Sequence, residues 1–187
     1  MRFVGVIGNK NAGKSSIIQS LTGCRSALFR DYIYGSANQS IYVCCSSPQE
    51  IVFEFQNQTD ISAISAVMNQ VIANAAHGCR GMVMAIQPNF PTSRPSIEDI
   101  FQQASASGFT SIFAFVVEPG YTPSHNIYLS VTNRLPGVAN ISQISGLDFP
   151  LINATAINNI SVIVQTPATG SGGRGSPARR SVIAATR

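Results

Sequence analysis

The stretch GVIGNKNAGKSSIIQSLTG, Gly5 to Gly23, decides how the rest of the chain is read. The apolar run RFVGVIG ends on glycine, as a buried strand does. Ile17, Ile18 and Leu21 then share one face of a helix that Gly23 is placed to stop. Between the two, Gly8, Asn9, Lys10, Asn11, Ala12, Gly13, Lys14 and Ser15 fit the spacing G-x-x-x-x-G-K-[ST]. A loop of this kind turns successive main-chain N–H groups inward, and the helix starting at Gly13 aims its positive end at the same point. Both attract a multiply charged anion. Lys14 would reach the β- and γ-phosphates of a nucleotide, and the Ser15 hydroxyl would ligate a bridging Mg²⁺. Gly13 lets the backbone approach where a Cβ would intrude. Ser16 adjoins the loop and completes the candidate phosphate site. Lys10 and Lys14 are the only lysines, beside ten arginines, so a chain almost without lysine keeps one where the motif requires it.

Outward from this loop, strand and helix signals alternate. SIYVCC (40–45) and IVFEF (51–55), joined by the turn-rich SSPQE, predict a hairpin. Asp60 is placed to cap a helix carrying Ile61, Ile64, Val67, Met68, Val71, Ile72 and Ala75 and stopping at Gly78. GMVMAIQ (81–87) predicts a strand. SIED, from Ser96, has capping-box spacing ahead of a helix with Ile97, Ile100, Phe101 and Ala104 that ends at Gly108. SIFAFVV (111–117) is apolar without alternation, the mark of a strand covered on both faces. Ser124 would cap a helix running toward Leu135, closed by Pro136 and Gly137. FPLINAT (149–155) is the candidate last strand, and INNISVIVQ (157–165) suits a short helix or an edge strand. The expectation is a three-layer α/β domain over residues 1–165 with the P-loop NTPase fold. Its sheet is mostly parallel, of about six strands including one antiparallel hairpin, with helices on both faces. Residues 166–187 are a low-complexity basic tail, too poor in apolar residues to order itself.

Composition narrows the classes. Charged residues make up 11% of the 187, against a usual share of roughly 25%, and Asn, Ser and Gln take their place. A surface so weakly repulsive suits self-association or a protein partner. The net charge of +4 resides in Arg174, Arg179, Arg180 and Arg187, after Gln165, where no acid occurs. The body balances to zero, so the pI near 9.1 gives the body no character of a nucleic-acid binder, although the tail is suited to weak, salt-dependent contact with an anionic partner. Cys24, Cys44, Cys45 and Cys79 form no CxxC pair and have no histidine at metal-ligand spacing, which predicts reduced, buried thiols. His77 and His125 have no nucleophile or acid at catalytic spacing. No run approaches the ~20 apolar residues of a membrane span, and the short apolar stretch of MRFVGVIGN is no signal peptide; the expectation is a cytoplasmic protein.

GNKNAGKSSIIQSLTG resembles the P-loop of the Ras-like and related small GTPases, and the order of elements over residues 2–165 resembles their G domain. The resemblance implies a switch operated by GTP and GDP with Mg²⁺, in which two loops are ordered by the γ-phosphate and the metal. The chain departs from that family elsewhere. Its D-x-x-G falls on Asn57, Gln58, Thr59 and Asp60 if IVFEF is the third strand, or on Ser46, Ser47, Pro48 and Gln49 if IYVCC is. The base-reading [NT]-K-x-D falls near Val117, Glu118, Pro119 and Gly120, where Glu118 is the one carboxylate. The small turn after the last strand is echoed by Ala154, Thr155 and Ala156, whose main-chain N–H groups would touch a base. The loop from Cys24 to Gln39 has no threonine for Mg²⁺ and offers Ser36 and Asp31 instead.

Three functions follow as expectations. The first is a GTPase-like nucleotide-binding protein with slow or absent hydrolysis, serving a regulatory or assembly role. The second is an ATP-binding ATPase or small kinase with Glu118 or Asp60 as the metal-side acid. The third is a structural protein that keeps the fold and binds no nucleotide. No catalytic residue is assigned.

Overall fold

The structure, a computed structural model, describes residues 1–24, 30–33, 40–45, 47, 61–88, 95–118, 126–135, 137–164 and 179–180. Five parallel strands form its centre: β1 (Arg2–Ile7), β2 (Ser40–Cys44), β3 (Gly81–Ile86), β4 (Ser111–Val117) and β5 (Asn140–Ile144). Five helices flank them: α1 (Lys14–Thr22), α2 (Ile61–Gly78), α3 (Ile97–Ala106), α4 (Ile127–Arg134) and α5 (Pro150–Ser161).

In space the parallel strands run β5, β4, β1, β3, β2. Arg2 lies opposite Gly81 on one side and Ser111 on the other, and Ile7 opposite Ile86 and Val116. β1 is thus central, and β1, β3 and β4 are nearly continuous apolar runs because both of their faces are covered. Successive residues of β1 point to opposite layers. Phe3 and Ile7 join the core under α2, α3 and α4, while Val4 and Val6 join the core under α1 and α5. In the first core Phe3 meets Phe101 and Phe109 edge-on, with ring centroids 5.3 and 5.7 Å apart.

Several sequence expectations are met in detail. Gly23 closes α1 with φ 69° and donates its N–H to the Gln19 carbonyl at 2.8 Å. Ser96 and Asp99 form the reciprocal capping box at the start of α3. The helix from Ile61 runs to Gly78. Asp60 and Ser124, the caps expected for α2 and α4, lie outside the described residues, as does IVFEF, the expected hairpin partner of β2. The described neighbour beyond β2 is Arg30–Ile33, which runs antiparallel to it and itself lies beside Arg179–Arg180.

One expectation is overturned. FPLINAT forms no strand; its residues open helix α5, and the last parallel strand is Asn140–Ile144. Pro150 stands at the first helical position, where a missing N–H costs nothing. Asn153, Ala154, Ile157 and Ser161 then recur at helical spacing as the buried face, with Ala154 and Ile157 in one core with Ile17, Ile18 and Leu21 of α1. Residues 157–161 of INNISVIVQ continue this helix. β5 pairs with β4 alone among the parallel strands, which is why so polar a sequence as NISQI serves there.

Candidate functional site

The order of the strands makes the carboxyl end of β1 the switch point of the sheet. The chain leaves β1 onto the face of α1, whereas it leaves both neighbours, β3 and β4, onto the face of α3 and α4. Loops that part in this way leave a gap at the carboxyl ends of the strands, where ligands of open α/β sheets bind. Residues 8–13 occupy that place.

The loop is shaped by its own residues. Gly8 N–H is held by the Ile86 carbonyl at 3.1 Å, so the turn begins while still tied to β3. A Cβ on Gly8 would come within 3.0 Å of the Ala12 Cβ and 3.3 Å of the Val117 Cβ; glycine here lets the loop fold against the end of β4. Ala12 N–H returns to the Asn9 carbonyl at 3.2 Å, closing a tight turn. Asn11 and Gly13 both take left-handed backbone angles, φ 63° and 85°. Asparagine tolerates that region better than most residues, and glycine occupies it without penalty. At Gly13 no atom lies within 4 Å of where a Cβ would stand, so the requirement there is conformational.

The start of α1 keeps its positive end without a side-chain cap. Gly13 is its N-cap and provides no side-chain cap, and no acidic residue occurs in the first turn. Lys14 instead adds positive charge there. Its side chain is buried, 7% exposed, and its Nζ donates to the Asn9 carbonyl at 2.7 Å, drawing the ammonium across the loop. α3 and α4 are treated differently. α3 has the Ser96–Asp99 box, and the N–H groups of Ile127 and Tyr128 in α4 are taken by the two carboxylate oxygens of Glu118 at 3.1 and 2.7 Å. The helix dipole at α1 is therefore reinforced by a cation where those at α3 and α4 are neutralised by acids.

Ser15 donates its hydroxyl to the Cys45 carbonyl at 2.7 Å, joining α1 to the end of β2. The oxygen keeps lone pairs for a cation, as the expected Mg²⁺ ligand must. Of the eight acids, Glu98 pairs with Arg134, Asp99 with Ser96, Glu118 with α4, and Asp148 stands exposed after β5. A carboxylate to share a cation with Ser15 is thus sought among Asp31, Glu50, Glu54 and Asp60, whose side chains lie outside the described residues. Ser36 and Asn57–Thr59 also lie outside them, as do Ser46, Pro48, Gln49, Pro119, Gly120 and His125. Ser47 is described and buried.

The remaining expected site residues are placed as follows. Glu118 follows Val117, which adjoins Gly8, so it stands at the same end of the sheet as the loop; its oxygens serve α4, and its carbonyl accepts from Gln143 Nε2 at 2.9 Å. Ala154, Thr155 and Ala156 occupy the second turn of α5 and form no turn after a strand. Their N–H groups belong to the helix ladder, which removes the expected main-chain contact to a base. His77 is exposed in the last turn of α2, where its Nδ1 donates to the Ala73 carbonyl at 2.7 Å. The partners of Lys14 and Ser15, the carbonyls of Asn9 and Cys45, carry no signal in a sequence, because any residue supplies a carbonyl. Among the described residues no group of three His, Cys, Asp or Glu is assembled to hold a metal, and no helix is long and apolar enough to cross a membrane. No protein-family model matches the chain, and no curated protein matches it either.

Proposed function

We propose that the chain is a GTPase-like nucleotide-binding protein with slow or absent hydrolysis, acting as a regulatory or assembly factor through its contacts with a partner. The five parallel strands and five helices are read as the three-layer P-loop NTPase fold, with an antiparallel hairpin at the β2 edge and a basic tail after residue 165. One observation carries the reading: at the mouth of β1, a left-handed Gly13 and a buried Lys14 converge on a helix start that has neither a side-chain cap nor an acid. A di- or triphosphate answers all three features.

On this reading the amides of Asn11 and of Gly13 to Ser16 would cradle the phosphates, with the Ala12 N–H kept by the Asn9 carbonyl, and Lys14 would turn from the Asn9 carbonyl to the phosphate oxygens. Ser15 holds Mg²⁺ on the protein side, and the ion when bound offsets phosphate charge. Rapid hydrolysis needs a positioned water and a further charge at the γ-phosphate, each worth orders of magnitude in rate. In neither register, Asn57–Asp60 or Ser46–Gln49, do the acid and the glycine of the GTPases that the loop resembles recur, so binding outlasts catalysis.

Mass spectrometry of nucleotide released from natively purified protein tests this. A guanine nucleotide is expected, absent from Lys14→Ala. Turnover with GTP and Mg²⁺ should be slow; rates rivalling a stimulated GTPase, lost in Lys14→Ala, would refute the slow switch. Absence of any nucleotide, with no melting shift on adding GTP or ATP, favours the structural reading.

A second reading, an ATP-binding ATPase or small kinase, is favoured by one feature. Glu118, the carboxylate at the base-reading position, spends both oxygens on α4. Competition separates the two: GTP binding indifferent to excess ATP rejects the adenine nucleotide.

A further inference from the structure

The outer side of α5 is more apolar than a solvent-facing helix should be. Leu151 is 68% exposed, Ile152 55%, Ile160 49% and Val162 44%, while Leu147 and Phe149, just ahead of the helix, are 58% and 78% exposed. Together these side chains offer on the order of 600 Å² of apolar surface, at the upper end of what a monomer shows in one patch. From residue 147 to 164 the one charged residue is Asp148. The opposite side of the helix is spent on the core with α1, and among the described residues the outer side belongs to neither core.

The pattern along this face is symmetric. Leu151 and Ile152 lie in the first turn, Ile160 and Val162 at the last, and the smaller or neutral Thr155, Ala156 and Asn159 lie between them. Their midpoint falls at Ala156. Ile152 and Ile160 stand eight residues apart, about 12 Å along the axis. A copy of the same helix laid antiparallel across Ala156 therefore sets Leu151 and Ile152 of each molecule on Ile160 and Val162 of the other. An isologous contact demands this reciprocity, in which residue i meets j and j meets i. Thr155 satisfies its own hydroxyl through the Leu151 carbonyl at 2.8 Å, so it brings no unpaired donor to the crossing. Small and neutral residues at the crossing let the two backbones approach. With Leu147 and Phe149 covered as well, two such faces bury roughly 1,200 Å², the lower bound of a stable specific interface, and a core without charges is what such interfaces show. An anionic lipid surface suits the patch less, since it wants lysine or arginine at the border of the apolar face, and residues 147–164 contain neither.

We propose that the outer face of α5 is a two-fold self-association surface, on which a second copy of this chain docks antiparallel about Ala156. The inference is independent of nucleotide binding.

Sedimentation velocity of the full chain over a concentration series, without nucleotide, tests it. A dimer is expected to form by about 200 μM, the range open to an interface of this size. The variant I152E/I160E should remain monomeric with unchanged circular dichroism. Because that variant alters a helix, a second measurement uses Cys79→Ser backgrounds. Thr155→Cys should cross-link to itself under mild oxidation, and Leu129→Cys, exposed on α4 across the sheet, should not. A monomer at every concentration overturns the proposal. So does a dimer untouched by I152E/I160E, cross-linking of Leu129→Cys in place of Thr155→Cys, or a chain monomeric in solution that binds neutral phosphatidylcholine vesicles through Ile152 and Ile160.

Discussion

Gly13 and Lys14 act on the same few ångströms by different physics, and substitutions separate them. At Gly13 nothing would touch an added methyl, so Gly13→Ala isolates the cost of holding φ 85° with a Cβ, about 1–2 kcal/mol. For a domain of this size that is a fall in melting temperature of roughly 3–6 °C, read by thermal denaturation without ligand. Lys14→Ala removes no such constraint, and it relieves a buried ammonium of its desolvation. Its melting temperature should stay close to the parent's, while nucleotide affinity measured by calorimetry falls about 10- to 100-fold, the loss of a charged hydrogen bond. A Lys14→Ala protein that binds as before would show that the ammonium does not meet the ligand. Burial also sets the chemistry of the thiols. It pushes Cys45 up to about 12, with the neighbouring Cys24 adding to the effect, so Cys45 stays a protonated thiol across the neutral range. Cys24, Cys44 and Cys45 are buried and Cys79 is half-buried. Under native conditions at mildly alkaline pH a thiol reagent should therefore label Cys79 first, and the other three when the chain unfolds. Peptide mapping after a short pulse checks the order, and early labelling of Cys45 would count against its burial.

Between elements, one arginine ties three together. Arg134, at the end of α4, grips Glu98 of α3 with Nε at 2.6 Å and Nη2 at 2.7 Å, and gives Nη1 to the Pro88 carbonyl after β3 at 2.6 Å. The hydrogen bonds from Arg134 hold the Glu98 carboxyl below its usual range. A depressed folded pKa contributes stability that is complete above the unfolded value, near 4.5, and is lost as pH falls through the folded one. Both side chains are about a third exposed, so water screens the pair and its worth is about 1 kcal/mol. Glu98→Gln should lower the melting temperature by a few degrees at pH 7, and the gap to the parent should narrow steadily as pH falls below 4.5. A gap that does not change with pH would assign the effect to lost packing. This clamp was not legible in the sequence, since thirty-five residues separate its partners. What was legible shares one property, a signal local to a few residues: the glycine and lysine of the loop, the Ser96–Asp99 box, the helical period of α2, the unbroken apolar run of β4. What was misread or passed over depended on position in the sheet. NISQI is a strand because it borders β4, and FPLINAT a helix because its small and apolar residues fit α1. Likewise Ala154–Ala156 resembled a turn in composition, and their helical state followed from that same packing.

At the scale of the molecule, the sheet and the loop solve one problem together. With β1 central, the chain leaves it for a face that its neighbours do not use, and the loop turns at that point of divergence. The fold thus places the positive start of α1 at the switch point of the sheet, while the burial of β1 on both faces keeps the loop from drifting. Such a site gives the domain a means of being stabilised from outside. A ligand that binds only the folded state adds RT ln(1 + [L]/Kd), about 2.7 kcal/mol at a hundred times Kd. At roughly 2–4 °C per kcal/mol for a domain of this length, a rise of about 5–10 °C is expected with saturating GTP and Mg²⁺. Because the phosphates supply the recognised charge, GDP should give a comparable shift and guanosine none. The experiment works on the whole chain and does not depend on turnover, so it separates binding from catalysis. Equal shifts with guanosine and GTP would mean that the base, not the phosphate, is being held, and that the cation-reinforced start of α1 is not where the ligand sits.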